Sequence, residues 1–80
     1  MKAFTLVGVD GNAYSVMGYV TNAMRTAGMP KAERDEYLKN AMSDDYNHLL
    51  VVSMDMIDKV NQILEEKGEL DSEYDEEEDW

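Results

Sequence analysis

The chain has 80 residues, no cysteine, and 18 acidic against 7 basic side chains, giving a formal charge of −11 at pH 7 and a pI near 4.2. A chain this short makes one small domain that buries only about 60% of the surface its unfolded form exposes, which excludes a large self-contained enzyme core and favours oligomerisation as a source of stability. The composition also excludes disulfides and thiolate zinc sites, and it lacks the basic footprint of a direct nucleic-acid binder. With neither a basic leader nor an apolar run of about 18 residues, the chain reads as soluble and cytoplasmic, with no membrane partner.

The charge is concentrated at one end. Residues 65–80 hold ten acids against Lys67, a charge of −9, so residues 1–64 carry only −2. A segment that acidic cannot bury enough apolar surface to fold alone. The expected organisation is a single small domain over residues 1–68 and a disordered acidic tail over 69–80.

In chain order, Lys2 to Val9 alternates, with Phe4 and Leu6 on one side and Ala3, Thr5, Val7 and Val9 on the other, which predicts a short strand ended by a turn at Asp10-Gly11. With no second strand following, that strand must pair with a copy of itself or lie across helices. Asn12 is a plausible N-cap for a first helix whose apolar stripe is Ala13, Val16, Met17, Val20, Ala23, Met24 and Ala27, with Gly28 as its C-terminal stop. Pro30 opens a second helix, with Glu33, Asp35 and Glu36 at its positive end and Tyr37, Leu38, Ala41 and Met42 on its apolar face. Ser43 or Asp44 is the expected cap of a third helix, Asp45 to Lys67.

The third helix is predicted to span about 33 Å against about 22 Å for the first, so one end has little of its own chain to cover it. Its wide apolar face, with Leu49, Met56, Ile57, Val60, Ile63 and Leu64, is therefore read as an interface in a homo-oligomer, the alternative being a monomeric core with a frayed last turn. The fold class expected is α+β, mainly α: a short N-terminal strand followed by three helices.

Candidate chemistry is sparse. His48, the one histidine, lies four residues after Asp44 and three after Asp45, which suits a surface or capping pair better than a metal, since no second histidine or cysteine completes a tetrahedral set. Gly8, Gly11 and Gly18 miss the dinucleotide-loop spacing, an EF-hand glycine is replaced by Ser15, and Ser15, Ser43 and Ser53 have no adjacent base. Neither a metal, a cofactor nor a catalytic set is expected. The methionines read mainly as core filling. One feature exceeds the background: Ser15, Gly18, Asn22 and Thr26 line up away from the apolar stripe of the first helix, flanked by Tyr14, Tyr19 and Arg25. A glycine in mid-helix costs about 1 kcal/mol relative to alanine, which points to close approach by another helix or by a ligand. The candidate ligand set is Asn12, Tyr14, Ser15, Tyr19 and Arg25, from a helix start suited to an anion and side chains able to stack on a base or pair with a phosphate.

The tail, Glu69 to Trp80, is read first as a solubilising segment. Its ending, Asp75, Glu76, Glu77, Glu78, Asp79 and Trp80, also resembles the acidic tip peptides of single-stranded-DNA-binding proteins, which dock in basic pockets of their partners, although Trp80 replaces the usual Pro-Phe. Mimicry of nucleic acid by the carboxylates is weakened by the near-neutral folded part. The stretch VDGNAYSVMG at 9–18, with DYNHLL at 45–50, is similar to a group of small phage and mobile-element proteins that share a G-N-A-aromatic-x-x-M-G start and a D-Y-x-H-L-L segment. That resemblance implies a non-enzymatic accessory protein with an anti-defence role in the host cytoplasm, binding a host protein or sequestering a nucleotide immune signal between protomers. The leading expectation is sequestration of a nucleotide-like ligand at a protomer interface. The alternatives are an inhibitor whose acidic tail occupies a basic surface of a host protein, and a virion assembly protein.

Overall fold

The computed structural model describes residues 1–70. Three helices follow one another, α1 (Ala13–Thr26), α2 (Lys31–Ala41) and α3 (Tyr46–Glu66), and each packs on the other two. The apolar periodicity explains the packing: Val16, Met17, Val20, Ala23 and Met24 of α1 meet Leu49, Ile57, Val60 and Leu64 of α3, and α2 closes the core with Tyr37 and Ala41. Ala23, Ala41 and Ser53 are completely buried, and their small side chains let the helix backbones approach closely.

Local sequence sets the helix ends. Asn12 Oδ1 accepts the Tyr14 N–H at 2.8 Å, and Asp45 Oδ1 accepts the His48 N–H at 2.9 Å. Asp45, rather than Ser43 or Asp44, is thus the cap of α3. α1 closes in a Schellman motif, with Gly28 at φ +83°, its N–H donating to Arg25 O and the Met29 N–H donating to Met24 O. The same motif ends α3 at Gly68, φ +74°, with bonds from Gly68 N–H to Glu65 O and from Glu69 N–H to Leu64 O. Cations then reach the negative end of α1: Lys67 Nζ donates to Ala27 O at 3.0 Å and Arg34 Nη1 to Met29 O at 3.0 Å. Leu70, past the expected domain end at residue 68, is half-buried against the core.

The expected N-terminal strand does not form, and the described residues contain no strand; the fold is helical rather than α+β. The segment instead lies across the helices. Phe4 donates its N–H to Asn61 Oδ1 and accepts from Asn61 Nδ2, both at 2.8 Å, so one side-chain amide of α3 takes the place of a partner strand. Thr5 N–H donates to the Tyr19 hydroxyl at 2.8 Å, and the Phe4 and Tyr19 rings meet edge to face at 5.8 Å. Then Gly8, at φ +85°, and the bond from Val9 N–H to Leu6 O turn the chain before a ladder could extend. The alternation sorts the side chains only as far as the turn: Phe4 and Leu6 pack on the core while Val7 is 85% exposed, but Val9, expected on the side of Val7, packs on the core as well.

The third helix also differs from expectation in what its apolar face covers. Leu49, Ile57, Val60 and Leu64 are buried in the chain's own core, and Met56 and Ile63 are half-buried at its rim. Val60 and Leu64 are wholly enclosed, so a second copy could not touch those two without opening that core, while Leu49 and Ile57 border clefts of the surface. The N-terminal segment supplies the missing cover, running antiparallel to α3 from the Met1 amino group on Glu69 O to Gly11 beside Tyr46.

Candidate functional site

The five candidate ligand residues separate into two groups. Asn12 and Tyr19 have structural partners, Asn12 as the cap of α1 and Tyr19 as the acceptor for the N-terminal segment. At 3.6 residues per turn, Tyr14 and Tyr19 point about 140° apart around α1, so the structure does not bring them to one ligand. Ser15 is half-buried on the flank of the helix.

Tyr14 and Arg25 belong together. They lie with Gly18 within about 40° of one another around α1, on its exposed face. Tyr14 is 78% exposed, a large aromatic ring left to solvent. Among the described residues, nothing outside its own helix backbone comes within 4 Å of the place a Cβ on Gly18 would occupy, so neither α2 nor α3 offsets the helical cost of this glycine. Asn22 and Thr26 are exposed beside this row.

A second concentration of exposed side chains lies where α1 begins, α2 ends and α3 begins. Tyr14, Met42 and Tyr46 surround a cleft of about 280 Å3 floored by Met17, Ala41 and Leu49 and rimmed by Asp44 and Asp45. Met42, expected on the buried face of α2, is 57% exposed, and Tyr46 is 43% exposed. The Tyr46 hydroxyl donates to Gly11 O, so the ring is held in place. The two sequence segments at 9–18 and 45–50 meet here, through Ala13, Tyr14 and Met17 from one and Asp45, Tyr46 and Leu49 from the other.

His48 is capped through its backbone N–H by Asp45, while its imidazole bonds elsewhere. Its Nε2 lies 3.0 Å from Asn40 O and 3.3 Å from Ser43 Oγ, tying the end of α2 to the first turn of α3, and the carbonyl acceptor fixes a proton on that nitrogen. Among the described residues, no three histidine, aspartate or glutamate side chains gather as a metal would require. None of their helices is long and apolar enough to cross a membrane. Asp75 to Asp79 and Trp80 lie outside the described residues, as does the expectation of disorder for that stretch.

Sequence reasoning missed two polar pairs. Tyr37 OH and Ser53 Oγ are 2.6 Å apart inside the core, and burial pushes the tyrosine pKa up, an effect the serine hydrogen bond opposes. Asn61 is the other, anchoring Phe4. Its signal was a polar residue at the edge of an apolar helix face. Comparison of the chain with protein-family models, with curated proteins and with solved structures gives no match, so the geometry of these surfaces carries the functional reading.

Proposed function

We propose that the protein is a non-enzymatic binding protein that sequesters a nucleotide-like ligand between two copies of itself, with Tyr14 stacking on a base and Arg25 pairing with a phosphate. The observation that carries this reading is the open row Tyr14, Gly18 and Arg25 on the exposed face of α1. Along a helix, Tyr14 and Arg25 are about 16 Å apart, too far to grip one base and its phosphate from a single copy. Two copies of α1 placed antiparallel with Tyr14 of one opposite Arg25 of the other are centred between residues 19 and 20, about 2 Å along the axis from Gly18, and glycine beside the crossing permits close approach. Such an arrangement is self-complementary, as a twofold interface requires. The resemblance to small phage accessory proteins supports the same class of activity.

The test is thermal stability of the full-length protein with a panel of linear and cyclic nucleotides, for the wild type and for Arg25→Ala. The reading expects a rise in Tm with at least one nucleotide, lost in Arg25→Ala while the helical circular dichroism is unchanged. Saturating nucleotides with no shift anywhere in the panel contradict it. Replacing Asp75, Glu76, Glu77, Glu78 and Asp79 by their amides separates the rival reading, because sequestration survives that change and tail-mediated inhibition of a host protein does not.

A further inference from the structure

We infer that the cleft at the junction of the three helices is a docking site for a lysine or arginine side chain of a partner protein. This inference goes beyond the nucleotide reading and uses a different part of the surface, although Tyr14 borders both. The cleft joins apolar walls to unpaired negative charge: Met42 and Tyr46 stand exposed on either side of Asp44 and Asp45. Each carboxylate accepts one backbone N–H, Asp44 Oδ1 from Asp45 and Asp45 Oδ1 from His48, and neither is ion-paired among the described residues. Among the described residues, no basic side chain lines the cleft.

Its dimensions and charge narrow the occupant. A volume of about 280 Å3 falls just under the range of about 300–1,000 Å3 typical of small-molecule sites, and it suits a single long side chain. Two carboxylates at the rim repel a phosphate, so the cleft disfavours the nucleotide proposed for the α1 row. A lysine or arginine satisfies both features: its alkyl stem covers Met42 and Leu49, and its cationic head reaches the carboxylates over the face of a tyrosine. Tyrosine and methionine are also side chains enriched in protein interfaces. Because Tyr46 is anchored through its hydroxyl to Gly11 O, the wall is ordered before binding.

The experiment is NMR titration of the full-length protein with a capped peptide carrying one arginine between leucines, and with the same peptide carrying norleucine or glutamate instead. The expected result is movement of the amide signals of residues 42–46 by the arginine peptide, at least tenfold weaker binding of the norleucine peptide, and no binding of the glutamate peptide. The double variant Asp44→Asn with Asp45→Asn removes the charge and keeps an efficient helix cap, since asparagine caps as well as aspartate, and it should weaken the arginine peptide at least tenfold. Equal affinity for arginine and norleucine, indifference to the double variant, or shifts confined to residues 71–80 overturn the inference. None of these outcomes bears on the nucleotide reading, whose test is read through Arg25.

Discussion

Asn61 does by one side chain what a neighbouring strand does in a sheet, satisfying both the N–H and the C=O of Phe4. Asn61→Leu leaves that half-buried pair unmatched, an expected loss of about 1–3 kcal/mol in chemical denaturation, with faster hydrogen exchange at the Phe4 amide. Gly18 predicts the opposite sign. Among the described residues, a methyl group there meets nothing outside its own helix backbone within 4 Å, so Gly18→Ala should stabilise the isolated protomer by about 0.5–1 kcal/mol while weakening any assembly that crosses beside this residue. Dilution-dependent unfolding measures both effects on one sample. Tyr37 gives a pH signature. Its pKa is raised from 10.0 in the folded chain, chiefly by burial, so the unfolded chain releases this proton first. Tyr37 therefore favours the fold fully below about pH 10 and loses that contribution as pH rises through the folded value, a decline that Tyr37→Phe should remove.

At the level of elements, the helices were legible because their punctuation is local. Asn12, Gly28 and Gly68 each act within one turn, and the apolar stripe of α1 contains every buried residue of that helix. Gly28→Ala should cost about 1–2 kcal/mol in thermal or chemical unfolding, because the Schellman turn holds a left-handed conformation that alanine resists. The N-terminal segment was not legible, for a physical reason. Alternation placed Phe4 and Leu6 on the core side and misplaced Val9, which packs there too once the chain has turned at Gly8, and it cannot report what pairs with the backbone. That information resides in Asn61, 57 residues from Phe4, and in the Tyr19 hydroxyl. The width of α3's apolar face follows from periodicity, and within one chain α1, α2 and the same N-terminal segment pack on it. The candidate site divided in the same way: Tyr14 and Arg25 share a face because helical spacing fixes it, while the cleft around Met42 and Tyr46 depends on how three helix ends meet.

For the whole molecule, the division of charge sets the available chemistry. With the acidity concentrated beyond residue 64, a phosphate-bearing ligand can approach the nearly neutral helices, but Arg25 is the one base on the α1 row. A site made by two copies supplies two such rows facing each other. The most direct measurement follows from this: equilibrium dialysis of whichever nucleotide the stability panel identifies, against Tyr14→Ala, against Arg25→Ala, and against an equimolar mixture refolded together. Each variant alone should fail to bind. In randomly paired mixed copies, one of the two sites in each heterodimer is intact, so about a quarter of wild-type binding should return. A mixture as silent as its components, or a single variant that binds like the wild type, contradicts a ligand held between Tyr14 of one copy and Arg25 of the next.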